Sequence, residues 1–235
     1  PDMSIQDLLR FRIESGGAPL KITVGTEPIH AAIVLPIFYE SRVYQPAWTN
    51  SQGFLPKAEA LLNAIRRADR EGLRPGDYHL EKIEAILSEL RKAPELNKKT
   101  NLNQLVDLDL LLTDAFLIYG SHLNSGRTDP EQIHPRWFVN RREGDLIRLL
   151  DHALTSNQIE ETLAALLPVQ AGYKHLRNTL VINCKFAKAG GWPTVSSGKK
   201  LQLGDRSERV IPLRQRLAAE GFLTNADADD QTLFD

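Results

Sequence analysis

Residues 105 to 130, LVDLDLLLTDAFLIYGSHLNSGRTDP, set the tightest constraint on what this chain can fold into. Leu108, Leu110, Leu111, Leu112, Ala115, Phe116, Leu117, Ile118 and Tyr119 leave a helix here almost no polar face, so it must be surrounded by other elements rather than laid on a surface. The run is too short for a bilayer span and carries Asp107, Asp109 and Asp114, each costly in hydrocarbon. It predicts a buried central helix. Gly120 and Gly126 suit its end, and Asp129 followed by Pro130 offers an N-cap and a first-turn proline to a next helix, with a capping box between Asp129 and Gln132. Asp107, Asp114 and Ser121 recur every seven residues, in one strip of the helix. No second carboxylate is set at a defined separation from Asp114, so it reads as an acceptor satisfied inside a helical core rather than as a general acid or base.

The 235 residues suffice for one large domain, or one domain and part of another. A formal net charge of -1 provides no basic excess to neutralise phosphates, which argues against a nucleic-acid binder. One cysteine excludes an intrachain disulfide framework and a multi-cysteine zinc site. The six histidines show no HExxH or comparable spacing, so neither a metal nor a cofactor is implied. No signal peptide, lipidation motif or transmembrane stretch is visible, and a chain opening on Pro1 and Asp2 reads as a processed or trimmed product.

Taken in order, Ile5, Leu8, Leu9 and Ile13 predict a short amphipathic helix ended by Gly16 and Gly17. Leu20, Ile22 and Val24 alternate with Lys21 and Thr23, the pattern of a half-buried strand bounded by Gly25 and Pro28, with no comparable partner strand nearby. Pro36 should break the following helical stretch into two pieces. Phe38, Tyr39, Tyr44 and Trp48 then gather around Pro46, either as a core corner, the reading preferred for their size, or as a platform for sugar rings. Pro56 to Glu71 reads as a helix burying Ala58, Leu61, Leu62, Ile65 and Ala68. Pro75 and Gly76 suit a type II turn, and Asp77 a cap for a helix carrying Leu80, Ile83, Ile86, Leu87 and Leu90. KAPELNKKTNLN reads as a polar linker.

Beyond the central helix, IHPRWFVNRREGD forms a basic loop with His134, Arg136, Trp137, Arg141 and Arg142, a composition shared by grooves for anionic ligands and by ordinary solvated loops. Asp145 to Leu154 and Asn157 to Leu167 predict two short helices closed by Pro168. Tyr173, Leu176, Leu180, Cys184 and Ala187 then step by three and four, the pattern of a core stripe. Cys184 fails as a nucleophile. His175 lies nine residues before it, on the opposite side of a helix turning about 100° per residue, and NCKF offers no oxyanion-hole turn. It is expected to be a buried structural thiol. Gly190, Gly191, Trp192 and Pro193 end this helix, Val195 to Lys200 link it onward, and a short helix with Val210, Leu213 and Leu217 inward is stopped by Gly221. One helix cannot bury its own apolar face, so the chain is expected to stop inside a second module.

The segments LPIFYESRVYQPAW, AIRRADREGLRPGDYH, LLLTDAFLIYGSHLNSGRTDP, GGWP and RVIPLRQRLAAEGFL, in this order, make the chain resemble the N-terminal scaffold region of the large bacterial murein L,D-transpeptidases and the start of their peptidoglycan-binding module. The resemblance runs from about Ile29 to Phe234. It implies a mainly α fold, an irregular multi-helix bundle around the central helix with one short N-terminal strand region. The helical scaffold would span 1–195, and a truncated binding module 196–235. In that family a separate C-terminal domain holds the cysteine, in a Ser-x-Gly-Cys context, that attacks a stem-peptide carbonyl to form 3-3 cross-links. No Ser-x-Gly-Cys occurs here, so the implied role is non-catalytic. The implied partners are peptidoglycan and the parent protein's own catalytic domain, the implied location is the periplasm or cell envelope, and any membrane attachment would come through an upstream anchor. Trp48, Trp137, Trp192 and Arg136 are the candidate ligand-binding residues. A helical protein-interaction module docking through Trp48 and Trp137 is the alternative, and a glycan hydrolase using Asp114 and Glu131 a third.

Overall fold

The computed structural model describes residues 3–17, 21–92, 98–129, 133, 144–223 and 230–235. It is mainly helical, with two short antiparallel hairpins. The chain divides into two compact units, Pro1–Lys174 and His175–Asp235, a division that falls earlier than the Ser/Gly/Lys stretch at which the sequence suggests one.

Unit 1 is built around the helix predicted to be central. The first five helices are α1 (Ile5–Glu14), α2 (Val34–Ser41), α3 (Pro56–Arg66), α4 (Leu80–Lys92) and α5 (Lys98–Ser125); α6 (Leu146–Ser156) and α7 (Ile159–Ala164) follow. α5 packs against α1, α3, α4, α6 and both hairpins. From Leu105 to Leu123 it buries leucines, Val106, Phe116 and Tyr119 on every side, as its unbroken apolar composition requires. It starts at Lys98, inside the segment expected to be a linker, and runs past Gly120 to end at Gly126, whose φ of 80° is a left-handed cap. Gly120 therefore serves packing rather than termination. A Cβ there would lie 3.5 Å from Leu146 Cδ2 and 3.5 Å from Leu166 Cδ1, so α6 and the chain after α7 close over this position with space for no more than a methyl group. Pro130 and Gln132 of the anticipated next helix lie outside the described residues.

The surrounding helices bury the faces their sequences mark. α1 buries Ile5, Leu9 and Ile13 behind a capping box between Ser4 and Asp7. α3 buries Ala58, Leu61, Leu62 and Ile65, with Ala68 beyond it in a 3-10 turn, and α4 buries Ile83, Ile86 and Leu87. Two local expectations are corrected. Pro36 breaks nothing, because α2 begins at Val34 and places the proline in the first turn, where its missing N–H has no intrahelical partner to lose. Residues 75–78 form a 3-10 turn rather than a type II turn, and His79, at φ 57°, makes the left-handed step into α4.

The strand near Ile22 has a partner after all. β1 (Thr23–Val24) pairs with β2 (Glu27–Pro28) across a tight turn at Gly25, and Ile29 N–H donates to the Ile22 carbonyl at 3.0 Å. Pro28 can lie in this strand because a two-strand hairpin leaves one edge of each strand free of ladder bonds. A second hairpin, β3 (Thr49–Asn50) with β4 (Gly53–Phe54), was not anticipated.

Helix α8 (Ala171–Lys188) spans the division. In unit 2 it is followed by α9 (Val210–Ala219) and by a returning C-terminal segment. Gly204 N–H donates to the Phe234 carbonyl, Ser207 N–H to Thr232 and Phe234 N–H to Asp205, at 2.8, 2.9 and 2.8 Å. Leu213 and Leu217 are half-buried, and Val210 is the buried residue of α9. The core stripe expected on α8 is overturned: none of its residues is buried, Leu176 is 69 % exposed, and Cys184 is exposed rather than a core thiol. Periodicity specifies which residues share a face, but not whether another element covers that face. Among the described residues, no helix is long and apolar enough to cross a membrane.

Candidate functional site

The chemistry of unit 1 is concentrated on two carboxylates in the buried turns of α5. Asp114 is completely buried and accepts from His30 N–H (3.0 Å), Ala31 N–H (2.6 Å) and His79 Nε2 (2.7 Å). The reading of Asp114 as a satisfied core acceptor is thus what the structure contains. Asp107, one heptad earlier, meets Arg12 at 2.8 Å, and Arg12 also donates to the Thr23 carbonyl at 3.2 Å.

The more heavily bonded carboxylate is one the sequence reading passed over. Asp109 is fully buried, and its Oδ1 takes the Tyr39 hydroxyl (2.6 Å) and Ala47 N–H (2.9 Å). Its Oδ2 takes Trp48 N–H (2.8 Å), Thr49 N–H (2.9 Å) and Thr49 Oγ1 (2.8 Å). Burial pushes this carboxyl up from its ordinary value, and the Tyr39 hydroxyl and the N–H groups of Ala47 and Trp48 pull it back. Five donors around one side chain hold Tyr39 of α2 and the chain from Ala47 to Thr49 against α5, and give three buried backbone N–H groups an acceptor. Thr113 completes the cluster, at 2.7 Å from the Tyr39 hydroxyl and 3.0 Å from the Trp48 indole nitrogen. A signal was available in the sequence: a second aspartate in the same apolar run, with a tyrosine, a tryptophan and a threonine elsewhere needing buried partners.

The candidate ligand-binding residues are scattered. Trp48 is corrected: with none of its surface exposed and its indole N–H spent on Thr113, it offers no ring face to a sugar, and it forms the core corner with Phe38 and Tyr39. Arg136 and Trp137, with His134, Arg141 and Arg142, lie outside the described residues, as does Glu131. Trp192, in unit 2, is half-buried, stacked on Phe186 at 4.2 Å with the rings 27° apart, and has the Arg216 guanidinium 4.6 Å from its ring centre. These three line an open groove of about 430 Å³ with Thr179, Asn183 and Phe222. Among the described residues no group of histidine, cysteine, aspartate and glutamate side chains has the geometry to hold a metal ion.

A model of the family described as "Scaffold domain" matches residues 34–180. The chain belongs to that family. No curated protein and no solved structure matches it. The scaffold domain match spans α2 through much of α8, and takes in Asp109 with all five of its donors, and Asp114 with His79. The β1–β2 hairpin, His30 and Ala31 precede it and are tied to it through Asp114.

Proposed function

We propose that the chain is the non-catalytic scaffold and wall-binding region of a cell-wall cross-linking L,D-transpeptidase. The single observation that carries this reading is the coincidence of the scaffold domain match with the ordered motif series from LPIFYESRVYQPAW to LLLTDAFLIYGSHLNSGRTDP, which lies inside it. The chemistry left to the chain agrees with a supporting role. The Asp114 carboxylate named for a hydrolase has both oxygens occupied in the core, and no Ser-x-Gly-Cys sequence accompanies Cys184. In this reading the parent protein works in the periplasm or cell envelope. Its peptidoglycan contact is made through the module that begins near residue 196, and the 3-3 cross-link is formed by a separate cysteine domain.

The gene sequence downstream of the codon for Asp235 tests it. A Ser-x-Gly-Cys motif in the same reading frame supports the proposal, and a stop codon with no such motif overturns it. A second reading, a helical protein-interaction module of the envelope, is favoured by the exposed Leu176, Val181 and Ile182 on α8. Retrieval of an intact partner protein by the chain from an envelope extract, lost on Leu176→Glu, would support this second reading over the first.

A further inference from the structure

His79 is placed between two carboxylates from different parts of unit 1. Its Nε2 lies 2.7 Å from Asp114 Oδ2 on α5 and its Nδ1 lies 3.2 Å from Glu27 Oε2 on β2, with only 4 % of the side chain exposed. A neutral imidazole carries one N–H and one lone pair, so a neutral ring here would turn a lone pair onto a carboxylate oxygen. Only the imidazolium, with two N–H groups, satisfies both partners at once. We propose that His79 is a proton-operated latch: doubly protonated, it ties the β1–β2 hairpin through Glu27 to the central helix through Asp114, and loss of one proton loosens the hairpin.

The surroundings fit that role. His30, on the turn that follows β2, is parallel to His79 at 5.5 Å, and its backbone N–H shares Asp114 with it. From α4, Lys82 Nζ reaches within 3.9 Å of the place a Cβ would occupy on Gly25 at the hairpin tip. Two ion pairs complete the charged surroundings: Asp77, two residues before His79, with Arg127 at 3.2 Å, and Arg12, which also holds the Thr23 carbonyl of β1, with Asp107 at 2.8 Å. Tyr78 is hydrogen-bonded to His122 at 3.0 Å, which leaves Glu27 and Asp114 as the groups that respond directly to the His79 charge. Burial pushes the ring toward neutrality, but hydrogen bonding and attraction to Asp114, then to Glu27, outweigh it and hold His79 above its ordinary value. A histidine raised on folding contributes stability that is fully present below its unfolded value, about 6.5, and is lost as pH rises through the folded value. The latch is therefore closed on the acid side and opens toward alkaline pH.

The test uses the full chain. Nitrogen-detected NMR of the imidazoles across a pH series should show both His79 nitrogens protonated at neutral pH, with one proton lost above the ordinary histidine range. Amide exchange over residues 22–31, corrected for the intrinsic pH dependence of exchange, should speed up by about tenfold for each pH unit by which His79 is raised, while the core amides of α5 hold. Glu27→Gln, at a half-exposed position that folding should tolerate, should move both the His79 titration and the hairpin loosening to lower pH. His79→Gln should hold the hairpin at its loosened level at every pH. The proposal is overturned by a His79 nitrogen unprotonated at neutral pH, by hairpin exchange that ignores the His79 titration, or by a pH response that survives in His79→Gln. If His79→Gln fails to fold, Glu27→Gln decides alone, and an unmoved titration in that variant rejects the latch.

Discussion

Asp109 and Asp114 stand five residues apart in the buried stretch of α5, and each converts a costly buried charge into a fastening point for segments distant in sequence. The energetic consequence is steep, because removing one member of a buried, fully bonded group strands its partners. Asp114→Ala leaves two backbone N–H groups and a charged His79 without their acceptor, and should lower stability by about 3–5 kcal/mol in denaturant titration. Asp109→Asn keeps the shape but points an amide NH2 at N–H donors, and should cost about 2–4 kcal/mol. Cys184 is the opposite case. Its exposed thiol should react with a thiol reagent in the native protein, and Cys184→Asp should melt with the parent, because a charge at an exposed site loses no solvation. A protected thiol, or a large fall in melting temperature for that variant, would place the residue back in a core.

At the scale of elements, α5 illustrates how one helix serves several neighbours. Its apolar surface faces α1, α3, α4 and α6, and at Gly120 the packing of α6 leaves room for a methyl group but for nothing longer. A single Cβ meets ordinary contact distances there, so Gly120→Ala should be tolerated and should gain about 0.5–1 kcal/mol from helix propensity. Gly120→Leu must instead displace Leu146, Leu163 and Leu166, and should cost about 1–3 kcal/mol through overpacking. Paired melting curves for the two variants separate propensity from packing, and equal effects would contradict the contact geometry.

For the whole molecule, the contrast between the two units predicts unequal stability. Unit 1 holds a continuous core from Ile5 to Leu163, whereas Val210 is the buried hydrophobic residue of unit 2 among those described. Unit 2 draws instead on the bonds between residues 204–207 and 232–234 and on Arg209, which donates to the Ser196 and Lys199 carbonyls at 2.8 and 2.7 Å. Amides of α9 should therefore exchange several orders of magnitude faster than those of α5. Equal protection in the two helices would mean that unit 2 gains burial in solution from another surface.

The composition of residues 105–123 was enough to determine a buried central helix, since a cylinder apolar all round has no stable alternative to being surrounded. The faces of α1, α3 and α4 were legible for the same reason, from local periodicity. The identity of Asp114 as a satisfied acceptor followed from general rules about buried charge, but its partners did not. His30, Ala31 and His79 are distant in sequence, and the five donors on Asp109 come from Tyr39 of α2 and from residues 47–49, about 60 to 70 positions away and with no periodic signal linking them to it. The stripe on α8 failed on the same boundary: spacing aligns Leu176, Leu180 and Cys184 on one side, and only tertiary structure decides whether anything lies against them. Local propensity acts over a few residues, whereas burial and carboxylate pairing are properties of segments brought together by the fold.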